Sequence, residues 1–163
     1  MIPLVQKYSN ASGASGCEQE IRDAIKEELK KQYPTMETDF MGNLYVHYSS
    51  GKKNAKKLVV SAHMDEVGFL IDSVGENGLL TFRIIGSMDP RVLVSKSVVI
   101  GPSKVPGVIG AKPIHLQKRT EWQHPIGLDA LYIDIGAASK DSALASVKPG
   151  DYAVFDVQCE AQD

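Results

Sequence analysis

Cysteine is nearly absent from these 163 residues: only Cys17 and Cys159 occur. Two thiols are too few for a disulfide framework, which sets aside the small stapled secreted scaffolds. Excess positive charge is missing as well. Eighteen basic side chains face twenty acidic ones, leaving a net charge of −2. That excludes the strongly basic surface on which nucleic-acid binders depend for counterion release. No apolar run approaches the ~20 residues of a membrane helix. The start, Met1-Ile2-Pro3-Leu4-Val5-Gln6-Lys7, has neither the basic head nor the long apolar core of a signal peptide. There is no Gly-rich phosphate loop, no Cys-x-x-Cys pair and no nucleophile elbow. The expectation is a soluble, cytoplasmic, mixed α/β protein with no membrane or nucleic-acid partner.

What is present begins with a helix. Ser15 followed by Glu18 reads as a capping box, and Cys17, Ile21, Ala24, Ile25 and Leu29 fall on one stripe at helical spacing. Pro34 stops it, and Cys17 is expected as a reduced core thiol on that stripe. Asp39-Phe40-Met41, a turn at Gly42-Asn43, and Leu44 to Tyr48 read as a hairpin. His47 is expected half-buried along its second strand. Residues 49–57 form a polar connector with four lysines, and Leu58-Val59-Val60-Ser61-Ala62 reads as a central strand covered on both faces. One helix and a few strands cannot supply both covers, so another layer must come from elsewhere.

After about residue 70 the pattern changes to short strand-like runs separated by glycines. These are Phe69 to Ile71, Leu79 to Ile85, Val92 to Ile100, Val105 to Leu116, Leu131 to Ile135 and Tyr152 to Val157. Such spacing predicts a small barrel or sandwich. A short helix starting at Ser139 interrupts it.

Chemistry concentrates at Ala62-His63-Met64-Asp65-Glu66-Val67-Gly68-Phe69. An imidazole with a carboxylate two residues away is a natural metal ligand with its orienting partner. The same pair also describes a histidine satisfied by an aspartate with no metal at all, and spacing leaves both open. Adjacent Asp65 and Glu66 point to opposite sides of an extended chain, so they cannot flank one glycosidic bond. Of the other histidines, His115 is either a loop group reaching a pocket or a turn residue bonded to backbone. His124 and Trp122 fall in a polar surface loop, where Trp122 is an alternative anchor for a partner.

The run from Ala62 to Phe69 resembles the first metal motif of the dinuclear metallo-aminopeptidases of the tetrahedral type, variously called glutamyl aminopeptidase, deblocking aminopeptidase or cellulase M. Further similar segments follow in order: Ser12-Gly13 with Ser15-Gly16, Met41-Gly42-Asn43-Leu44, Ile85-Gly86-Ser87-Met88-Asp89-Pro90, and Gly110 to His115. Leu131 to Ala137, Ser139-Lys140 and Val147-Lys148-Pro149-Gly150-Asp151 complete them. The resemblance implies an α/β fold in which residues 1–70 open a zinc-peptidase-like α/β/α sandwich. Residues 71–158 would form an inserted PDZ-like β-barrel dimerisation domain, and 159–163 a tail where the catalytic domain resumes. It implies that His63 is a metal ligand, that Asp65 is the catalytic-site carboxylate orienting it, and that His115 lies near the substrate or a dimer contact. It further implies two divalent ions, zinc or cobalt, with manganese also compatible with such ligands. The partners would be a peptide substrate and other copies of the chain, as a dimer or dodecamer. The family's remaining ligands and general base lie downstream of the insert. The expectation is therefore an amino-terminal portion of a metal-dependent aminopeptidase, a truncated product or a short gene, inactive and holding no stable metal alone. The alternatives are a non-catalytic dimerisation module with a vestigial peptidase fragment, and a sugar-cleaving enzyme.

Overall fold

The computed structural model describes residues 2–117, 119 and 125–160. His124 and Trp122 lie outside them. The chain forms two compact units, one running to Asp65 and including the segment from Gln158, the other Glu66–Val157.

In the first unit, α1 (Ile2–Ser9) precedes the expected helix, α2 (Gln19–Leu29). The sequence gives α1 no signature, because none of its residues is buried. Its last turn is tied to the returning chain: the Cys159 backbone N–H donates to Asn10 Oδ1 at 2.7 Å. In α2 only Ile21 is fully buried, with Ala24, Ile25 and Leu29 half-covered. The expected capping box does not form. Glu18 occupies the cap position without a side-chain cap bond, and its carboxylate accepts from the Gly16 N–H at 2.5 Å. Cys17 therefore sits in the turn before the helix and is exposed, not a core thiol.

The hairpin exists, with its strands set outward from the expected positions: β1 (Met36–Thr38) pairs antiparallel with β2 (Leu44–Val46). Asp39 to Asn43 make the turn. The Asp39 carboxylate accepts from the backbone N–H groups of Met41 and Asn43 at 3.0 and 2.8 Å, an Asx arrangement that replaces strand pairing there. Since β2 ends at Val46, His47 is exposed rather than half-buried. Arg22 of α2 donates to the Gly42 carbonyl at 3.1 Å, fastening helix to hairpin.

Residues 58–62 do not form a strand here. Leu58, Val59 and Val60 are 88, 85 and 87% exposed, and no described segment pairs with them. A strand exists through its neighbours' hydrogen bonds, so an apolar β-branched run without a neighbour stays irregular.

The second unit is a closed six-stranded barrel. Its strands are β3 (Gly68–Val74), β4 (Leu80–Ile85), β5 (Ser97–Ile100), β6 (Val105–Ala111), β7 (Leu131–Asp134) and β8 (Tyr152–Phe155). They close in the order β3-β4-β7-β6-β5-β8, all neighbours antiparallel. Alternation along each strand sends one set of side chains inward. Phe69 and Ile71 are buried on β3, and a register shift between Ile71 and Ser73 then lets Asp72 and Ser73 both face out before Val74 turns in again. Phe69 is fully enclosed, edge-to-face with Phe82 and Phe155 at 5.1 and 5.2 Å between centroids.

Two expected runs are shorter as strands. Pro90–Val92 is a 3-10 turn capped by Asp89, and Leu93 after it plugs the core. The run from Val105 stops at Ala111, because Pro113 leads into a second 3-10 turn, Ile114–Leu116. The short helix is α3 (Lys140–Leu144), opened by a capping box between Ser139 and Ser142, with Ala143 buried in the core.

Candidate functional site

His63 and Asp65 meet in the first unit, on irregular chain rather than at a strand end. Imidazole Nδ1 lies 3.1 Å from the carbonyl oxygen of Asp65 and 3.2 Å from its Oδ1. A carbonyl and a carboxylate only accept, so Nδ1 must carry the proton and Nε2 the lone pair. The ring is 86% exposed while Asp65 is 40% exposed, so the free nitrogen faces outward from a partly covered carboxylate.

Asp65 has a second partner. Ser15 Oγ donates to its Oδ2. This hydrogen bond is the main reason the Asp65 carboxyl is held below the usual aspartate range: it acts against desolvation, the next largest effect, and the residue's own backbone N–H and His63 add smaller contributions in the same direction as Ser15. Ser15, which reads in the sequence as a helix cap, is thus spent on the carboxylate. The Ser-Gly-Ala-Ser-Gly spacing was the available signal, since glycines on both sides of a serine mark a sharp turn rather than a helix start.

His115 belongs to the second unit, exposed on the 3-10 turn after β6. Glu66, adjacent to Asp65, begins the second unit.

The donor set bears directly on whether a metal could be held. Among the described residues no group of three or more His, Cys, Asp or Glu side chains converges on one point. A catalytic zinc takes about three protein ligands plus water. One imidazole, however well oriented, does not by itself fit such a centre.

Comparison with known proteins bears on the same residues. A family profile described as M42 glutamyl aminopeptidase matches residues 42–163. The chain is 31% identical over 144 residues to the lysyl aminopeptidase of Pyrococcus furiosus, a match covering 86% of this chain and 41% of that protein. It superposes with TM-score 0.88 and 30% identity on a TET aminopeptidase from the archaeon Thaumarchaeota archaeon SCGC AB-539-E09, covering 94% of this chain and 44% of that one. The TET1 peptidase of Pyrococcus horikoshii, which can assemble into a tetrahedron or a large octahedral shell, gives TM-score 0.83 at 39% identity over 95% of this chain and 46% of its own. The chain spans less than half the length of each of these relatives.

Proposed function

The chain belongs to the M42 glutamyl aminopeptidase family, and from that premise we propose that it is the amino-terminal part of a metal-dependent aminopeptidase that removes N-terminal residues from peptides in the cytoplasm. In this reading residues 1–70 open the catalytic α/β/α sandwich, 71–158 are the inserted PDZ-like barrel through which copies pair, and 159–163 lead back into the catalytic domain. His63 holds one of two divalent ions, zinc or cobalt, through Nε2. Asp65 fixes the ring, and His115 lies near substrate or a neighbouring copy.

The observation that carries the reading is the histidine itself: Nδ1 is occupied by Asp65 while the ring stands 86% exposed. That is how a protein presents an imidazole to a metal. Because the described residues supply only this ligand, the chain alone is inactive and holds no ion stably. The exposed run at 58–62 supports the same view, being the place where further strands would add.

The test supplies the remaining portion of a longer relative, in trans and as a fused chimera. Metal content and release of N-terminal residues are then measured, with size determined by light scattering. Expected are metal and peptidase activity on complementation only, both lost with His63→Ala. A folded chimera with neither metal nor activity would favour the other reading, a non-catalytic module that assembles copies through its barrel.

A further inference from the structure

We propose that Ser15 is a positioning residue for His63, acting through Asp65. The loop that carries Ser15 is built for a fixed placement. The Cys17 N–H donates to the Ala14 carbonyl at 2.7 Å, closing a turn whose third residue, Gly16, has φ 90°. That left-handed position suits glycine and leaves Ser15, half-buried, at the turn's second position. The loop is also pressed against its surroundings. Gly13 is buried, and a Cβ added there would come within 2.8 Å of Ile21 Cγ2 and 3.4 Å of the Met64 carbonyl oxygen. The serine loop thus lies against α2's buried residue and against the backbone between His63 and Asp65.

From that placement the hydroxyl reaches Asp65 Oδ2, while Oδ1 and the Asp65 carbonyl face His63 Nδ1. A carboxylate held at one oxygen is free to rotate about its last torsion; held at both, it is not. Ser15 therefore keeps Oδ1 on the ring, which keeps the proton on Nδ1 and the lone pair of Nε2 outward. The helix makes no competing use of the hydroxyl, since α2 begins at Gln19 with no side-chain cap bond.

This deepens the reading of His63 as a ligand, yet it can be tested on the chain by itself with no metal or substrate. The measurement is the pair of imidazole 15N shifts of His63 at about pH 8.5, roughly two units above the ordinary histidine value. Wild type is expected to show the Nδ1–H tautomer. Ser15→Ala should lower the ratio of Nδ1–H to Nε2–H roughly three- to tenfold, the range of one lost hydrogen bond. Ser15→Thr, which keeps the hydroxyl, should restore it. Should Ser15→Ala fail to fold, judged by amide signals of residues 11–29, Ser15→Cys decides: its weak S–H donor should give a partial shift. An Nε2–H tautomer in wild type, or an unchanged ratio in a folded Ser15→Ala or Ser15→Cys chain, overturns the proposal. An unchanged ratio in a folded variant would leave the peptidase reading standing, whereas a failed complementation would leave the tautomer result intact.

Discussion

Replacing Phe69 with alanine removes the ring at the middle of the barrel. The side chain is wholly enclosed and meets Phe82 and Phe155 at interplanar angles of 83° and 80°. Deleting a buried phenylalanine costs about 3–5 kcal/mol, from lost transfer energy plus the cavity left behind. Two edge-to-face ring contacts, each worth about 0.5–1.5 kcal/mol beyond area, put this site toward the upper end. A unit of this size is stable by roughly 5–14 kcal/mol, so the variant should keep its fold with little margin. At about 4–8 °C per kcal/mol, the melting temperature should fall by about 20 °C or more. The assay is thermal and urea unfolding of the full chain, read from the methyl signals of Ile109 and Ile133 in the barrel core. Phe40→Ala is the control, because that ring is 97% exposed. A Phe69→Ala midpoint as little changed as the control's would refute the closed, ring-centred core.

Gly78→Ala should destabilise the barrel by about 2–4 kcal/mol, read as a lower urea midpoint. Its φ is +82° and an added Cβ would sit 2.4 Å from the Ala137 carbonyl oxygen, so strain and collision add. Acid should loosen the 3-10 turn at Pro90–Val92. The Arg91 guanidinium and backbone N–H hold the Asp89 carboxyl down to about 2 from an ordinary 3.8. A depressed carboxylate contributes stability that is fully present above its unfolded value and is lost as pH falls through its folded one. The turn's amide shifts should therefore hold from neutral pH to about 4 and change as pH falls toward about 2; a midpoint near the ordinary aspartate value would contradict the pairing.

Most of the barrel is legible in the sequence because closure imposes a period of two on short runs. Phe69-Leu70-Ile71 and Leu131 to Asp134 show it plainly, and the helix after Ser139 announces itself through a local cap. Three features of the first unit were not readable in this way. The helix α1 buries nothing, so it leaves no pattern. Ser15 and Glu18 have the capping-box spacing, but a turn with a left-handed Gly16 separates them and redirects the hydroxyl to a residue fifty positions later. Leu58 to Ala62 has the composition of an interior strand, and composition records where a segment belongs without supplying the neighbours that would put it there. Of the site, the His63–Asp65 pair was visible from spacing alone; which nitrogen carries the proton was not, because that follows from the Asp65 backbone carbonyl as much as from its side chain.

Closure of the barrel also limits how that unit can evolve new contacts. With β8 sealed against β3, the described strands leave no unpaired backbone row for a foreign strand to continue. What the outer surface offers instead is side chains, among them the exposed Val92 and Val108. Such positions can change one at a time while the barrel beneath them stays the same.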